Sequence, residues 1–245
     1  MRNILLTITY DGSKFHGWQI QKNAVTVQEV FQSALYKVIG EGTDIKGCSR
    51  TDSGVHARMY CISFHTEHRI PVERIPPALN NYLPNSIAVL TASEVPPDFH
   101  ARYSCKGKEY VYKLWNDDIR NPFLDGYAYH YWYKLDIDLM NKAAKHFVGT
   151  HDFTSFCTLD KREKGDFRRT IQELSVTRDD KTVLITVMAD GFLYNMVRII
   201  VGTLLYVSQG KIRPEDIPMI IKAENRSLAG PTAPAEGLYL NRVFY

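Results

Sequence analysis

"SEVPPDFHARYSCKGK", residues 93–108, decides how the chain divides. Pro96 and Pro97 cannot donate to a sheet ladder, and polar residues surround them, so the stretch reads as a linker between two folded halves. Outward from it toward residue 1, 86–92 reads as a strand. Residues 75–83 read as a short helix opened by Pro76 and Pro77, and 58–65 as a strand. Thr26 and Glu29 form a capping-box pattern. Val27, Val30, Phe31, Ala34, Leu35, Val38 and Ile39 then repeat with helical period, and Gly40 stops the run. Residues 3–10 complete this half as a strand.

The other half repeats the grammar. Strands are expected at 108–115, 127–133, 171–178, 182–189 and 238–244. A helix from Asp136 to Val148 presents Met140, Ala143, Ala144, Phe147 and Val148, with Gly149 as its stop. A second runs from Tyr194 to Val207, and a short one opens at Pro214. The fold class expected is α+β, with two similar domains spanning 1–103 and 104–245. Each is an antiparallel sheet with helices packed on one face, and an active-site cleft lies between them.

Composition bounds the rest. The 245 residues carry a net charge of +3, which permits a nucleic-acid partner without demanding one. Cys48, Cys61, Cys105 and Cys157 fit no CxxC zinc or redox spacing and read as reduced thiols in a cytoplasmic protein. "MRNILLTITYDG" is too briefly apolar for a signal peptide or membrane span. There is no GxGxxG, no P-loop and no metal-ligand cluster, so neither cofactor nor metal is expected.

The polar motifs are individually ambiguous. In "GCSRTDSGVHARMY" (47–60), Arg50, Thr51 and Asp52 sit between Gly47 and Gly54, with His56 after them. An Asx turn with a surface arginine accounts for that as readily as a catalytic loop does. In "TYDGSKFHGWQIQ" (9–21), Phe15 and Trp18 could stack on bases or fold inward. In "KGKEYVY" (106–112), Tyr110 and Tyr112 suit any strand. "DKREKGDFRRT" (160–170) suits phosphate or plain solvent. "GFLYNMVR" (191–198) ends in Arg198 on an apolar helix, which calls for an acidic partner.

Together these segments resemble the TruA family of tRNA pseudouridine synthases over essentially the whole chain. The matching blocks, in family order, are "YDGSKFHGWQ", "GCSRTDSGVHA", "DFHAR", "KEYVY", "GTHDFTSF", "RTI" (169–171), "GFLYNMVR" and "APAEGLYL" (233–240). The resemblance implies an enzyme that isomerises uridine to pseudouridine at positions 38, 39 and 40 in the anticodon stem-loop of tRNA. It implies Asp52 as the catalytic aspartate and Arg198 as its basic partner. Arg50 would enter the RNA and hold the target nucleotide out of its stack. Tyr110 would pack on the flipped base and handle protons, Phe192 would line the pocket, and His56 would support the loop. It also implies a homodimer gripping one tRNA. The chemistry agrees: one carboxylate kept ionised by a guanidinium suffices for glycosidic cleavage and rejoining, provided that stacking groups offset the cost of base flipping.

The sequence departs from the family at "RMYC", where a Gly-Gln pair is common, and at Cys48, where a smaller residue is usual. Two other readings stand beside this one. A non-catalytic RNA-binding or RNA-chaperone protein needs the basic and aromatic loops but not Asp52 beside Arg50. A nucleosidase or glycosidase usually needs two carboxylates.

Overall fold

Ile4, Leu6, Ile8 and Tyr10 are buried alternately along the first strand, the period of two that turns one face of a strand into a core. The computed structural model describes residues 1–40, 42–159 and 165–245. Among them the strands are β1 (Arg2–Tyr10), β2 (Lys46–Gly47), β3 (His56–Thr66), β4 (Ile87–Val95), β5 (Gly107–Trp115), β6 (Tyr129–His130), β7 (Gly149–Asp152), β8 (Arg168–Asp179), β9 (Thr182–Ala189) and β10 (Leu238–Phe244). The helices are α1 (Val27–Ile39), α2 (Ile75–Asn80), α3 (Ile137–Ala144), α4 (Met196–Ser208) and α5 (Ile217–Lys222). The fold is α+β, as expected.

The chain forms two compact units, Met1–Lys106 with Tyr239–Tyr245, and Gly107–Leu238. This differs from the expected division at 103/104, because β10 returns to the first unit. Its Tyr239 and Leu240 pair in parallel with His56 and Ala57 of β3. Tyr245 then donates its hydroxyl to Ala101 O at 2.7 Å. Pairing across that many residues leaves no mark in the local sequence.

In the first unit the strands run β4-β1-β3-β10, with β2 also on β3. β1 is antiparallel to both β3 and β4. α1 begins as expected: Thr26 Oγ1 accepts from Glu29 N at 3.4 Å, and Gly40 closes it at φ 72°. Val27, Phe31, Ala34, Leu35 and Ile39 are its buried side. α2 packs on β4, where Asn80 exchanges 2.8 and 3.0 Å hydrogen bonds with the Val89 backbone. β4 continues to Val95, past the expected end at 92, so the non-strand segment starts only at Pro96.

In the second unit the order is β5-β9-β8-β7, all antiparallel, with β6 parallel to β5. The sheets are therefore mixed rather than purely antiparallel. β6 covers only two residues of the expected 127–133 strand. α3 stops at Ala144 and yields to a tighter turn over Lys145–Phe147, short of the expected Val148. α4 starts at Met196 rather than Tyr194, because Asn195 holds the left-handed conformation at φ 61°. Asn141 of α3 bonds both ways to the Val176 backbone on β8, at 2.8 and 2.9 Å.

Candidate active site

The loop after β2 carries Arg50, Thr51 and Asp52. A second loop, after β1, holds it in place. Trp18 N donates to Thr51 O at 3.1 Å, and Gly54 N donates to Phe15 O at 3.2 Å, so the backbone is fixed on both sides of Asp52. Within the loop, Val55 N donates to Asp52 O at 3.2 Å, and Gly54 takes φ 79° to close the turn. The two loops lie so close that glycine is required on the clamping side. A Cβ on Gly12 would stand 2.0 Å from Val55 O, and one on Gly17 would stand 2.5 Å from Thr51 O.

Side chains complete the clamp. Thr51 is buried and shares a 2.8 Å hydrogen bond with the buried Tyr10 hydroxyl. The Tyr60 hydroxyl donates to Ser49 O, and its ring stacks on Trp18 at 4.2 Å. Phe15 and Trp18 are only 5% and 4% exposed, so these two aromatics fold inward and brace the loop instead of offering faces to bases. His56 is buried, stacks on Tyr239 at 4.6 Å, and accepts from Gly12 N at Nδ1 (3.1 Å). That contact needs an Nδ1 without a proton, and Asp11 Oδ1 lies 3.3 Å from the same nitrogen. Against this rigid frame Asp52 is half-buried and Arg50 is exposed.

The second unit places its expected residues as follows. Tyr110 is on β5, 5% exposed, with its ring edge-to-face against Phe192 at 5.0 Å and 83°. Phe192 lies in the segment between β9 and α4. That segment is tied to the start of β8 by Thr170 N donating to Asp190 Oδ1 (3.0 Å) and by Asp190 N donating to Thr170 O (3.1 Å). Arg198 is half-buried in the first turn of α4. Its Nε donates to Ala233 O at 2.7 Å and its Nη1 to Asn195 Oδ1 at 2.9 Å. Ala233 N returns a bond to Arg198 O at 3.1 Å.

Sequence reasoning missed the residues that hold these groups. Tyr10 and Tyr60 read as ordinary strand residues, and their hydroxyl contacts cross 41 and 11 positions of chain. The strap 230–236 was another omission. It meets α4 so closely that a Cβ on Gly202 would stand 1.8 Å from Pro231 O. There the Tyr112 hydroxyl donates to Pro234 O at 2.7 Å, and burial pushes the Tyr112 phenol well above its usual range. Burial also raises the half-buried Glu236 carboxyl, with Asp125 adding to the effect. The only signal for the strap was the "APAEGLYL" block. In the basic stretch at 160–170, residues 160–164 lie outside the described residues. Arg168 is exposed, and Arg169 donates to the Asp166 and Arg168 carbonyls at 2.8 and 2.6 Å. Among the described residues no three His, Cys, Asp or Glu side chains are grouped to hold a metal ion, and no helix is long and apolar enough to cross a membrane.

The 50–52 loop presents one carboxylate beside an exposed guanidinium, and the second unit carries a buried tyrosine edge-to-face against a half-buried phenylalanine. The family described as tRNA pseudouridine synthase matches residues 6–104 and 143–245, and the chain belongs to it. Along its full length, and theirs, the chain is 47% identical to tRNA pseudouridine synthase A of Thermoanaerobacter sp. (strain X514). The corresponding figures are 49% for the protein of that name in Acetivibrio thermocellus and 47% for that of Clostridium acetobutylicum. This membership makes the chain an isomerase acting on uridine in tRNA, and the non-catalytic RNA-binding alternative is not favoured.

Proposed function

We propose that this chain converts uridine to pseudouridine at positions 38, 39 and 40 of the tRNA anticodon stem-loop, with Asp52 carrying the chemistry. The observation that supports this most is the double clamp on its loop, with Thr51 O and Gly54 N bonded to the 11–18 segment and Asp52 left on the half-buried turn between them. Such preorganisation keeps a nucleophile or base in place with little to reorganise during reaction. The N1–C1′ bond of uridine breaks, the uracil turns, and a C5–C1′ bond forms. The proton leaves C5, and N1 ends protonated. No electron changes hands.

The other assignments follow the same reading. Arg198 is the cation that keeps Asp52 ionised with substrate bound, and its guanidinium is held by Ala233 and Asn195. Arg50, exposed beside Asp52, enters the RNA and holds the target nucleotide out of the stack. Tyr110 and Phe192 cover the flipped base, and the Tyr110 hydroxyl handles the proton from C5. We also assign a homodimer, acting in the cytoplasm. Ile119, Phe123 and Trp132 are 74%, 92% and 54% exposed, apolar surface suited to burial against a second copy.

Purified protein given an unmodified tRNA transcript with uridines at 38–40, and a uridine at position 55 as control, is expected to form pseudouridine at 38–40 only. EDTA should leave the rate unchanged. Product at 55 alone, or none, would remove the substrate assignment.

A further inference from the structure

Residues 100–104 form a closed turn that the catalytic loop does not explain. Ser104 N donates to His100 O at 2.9 Å, and His100 N donates to Ser104 Oγ at 3.1 Å. His100 Nδ1 accepts from Arg102 N at 3.0 Å and Tyr103 N at 3.4 Å. The centre of the turn is sunk into the first unit. Ala101 is fully buried, its N donates to Ser63 Oγ on β3 at 2.9 Å, and its O accepts from the Tyr245 hydroxyl at 2.7 Å.

From this rigid base the side chains point outward. Tyr103 is 78% exposed, with the His100 ring 4.4 Å away and the Arg102 guanidinium 5.9 Å from its ring centre. Lys46 stands opposite Ser63 in the β2–β3 register, ion-paired with Asp44. Burial and the Lys46 charge lower the His100 pKa, in keeping with its accepting nitrogen. An exposed aromatic on a firmly hydrogen-bonded turn beside two cations suits RNA: the ring takes a base and the cations take phosphate.

We propose that the 100–104 turn is a second RNA-docking site, stacking an unpaired base on Tyr103 and meeting phosphate with Arg102 and Lys46. It serves RNA outside the nucleotide being modified, since Ser63 lies seven residues along β3 from the end of the catalytic loop, roughly 23 Å at strand rise. The proposal rests on the tRNA reading above and adds a site to it.

The test measures tRNA binding across a salt series, together with KM and kcat, for the full chain and for Tyr103→Ala, Tyr103→Phe, Arg102→Ala and Lys46→Ala. Tyr103→Ala should raise Kd and KM at least fivefold, with the loss carried by KM rather than kcat, and Tyr103→Phe should restore both. Arg102→Ala should flatten the plot of log affinity against log salt by about one phosphate contact. Unchanged Kd, KM and salt slope in Tyr103→Ala and Arg102→Ala would overturn the proposal and leave the turn to a protein partner. If the wild-type protein makes no pseudouridine, it is the reading of function that fails, and the binding curves still judge the turn.

Discussion

At the scale of single residues, the 50–52 loop separates the proposed chemistry from its support. Asp52→Ala is expected to abolish pseudouridine formation while tRNA binding stays within a few fold, because removing a carboxylate from a surface that meets a polyanion costs no phosphate contact. A product assay and a filter-binding curve on one preparation check this; turnover by the variant would overturn the assignment. Tyr10 supplies the contrasting case. Tyr10→Phe keeps the buried ring but removes the hydroxyl that pairs with Thr51 at 2.8 Å. Leaving a buried hydroxyl short of its partner costs about 1–3 kcal/mol. The expected result is a modest fall in melting temperature and a several-fold loss of kcat from a less firmly held loop. Equal activity in the variant would show that the hydroxyl pair is dispensable.

At the scale of elements, legibility followed the range of the interaction that fixes each one. α1 was readable to the residue because its cap, its period and its stop are all local: Thr26, the buried stripe and Gly40. β1, β5 and β9 were readable from alternation. β2 and β7 have two and four residues, too few to show a period, and exist only because β3 and β8 lie alongside them. The site divides the same way. The motif residues announced themselves, whereas the glycines and tyrosines that clamp them depend on distances between loops that no local window contains. α4 and the 230–236 strap give the sharpest prediction at this scale. Gly202→Ala would put a methyl group 1.8 Å from Pro231 O, a backbone atom with no rotamer to yield. Overpacking of this kind costs about 1–3 kcal/mol or more. It should also loosen Ala233, the acceptor for Arg198 Nε. A urea titration should register the lost stability, and a steady-state assay should register a fall in kcat; the absence of both changes would refute the close approach.

At the scale of the whole molecule, the strand that closes the first unit arrives from far along the chain. Its anchor has a pH signature. Burial pushes the Tyr245 hydroxyl far above the usual phenol range, with Cys61 adding to the effect, and burial also raises the Cys61 thiol. Both groups are held neutral in the folded state more firmly than in the unfolded one. Their contribution is therefore complete below the unfolded thiol and phenol values, and it is lost as pH climbs from about 9 past 10. Denaturation midpoints should drop over that window, and Tyr245→Phe, which has no proton to lose, should drop less. Identical slopes in the two proteins would count against the anchor.

The same return of the chain has a consequence for biosynthesis. A ribosome adding about 5–20 residues per second needs on the order of ten seconds to make Gly107–Leu238 after the first 106 residues have emerged. Throughout that interval the loop-proximal end of β3 lacks its parallel neighbour, and His56 lacks the Tyr239 ring. A nascent chain thus carries the 50–52 loop beside an open strand edge, a natural substrate for chaperones. The sheet of the first unit is complete only once Tyr239–Tyr245 has left the exit tunnel and paired with β3.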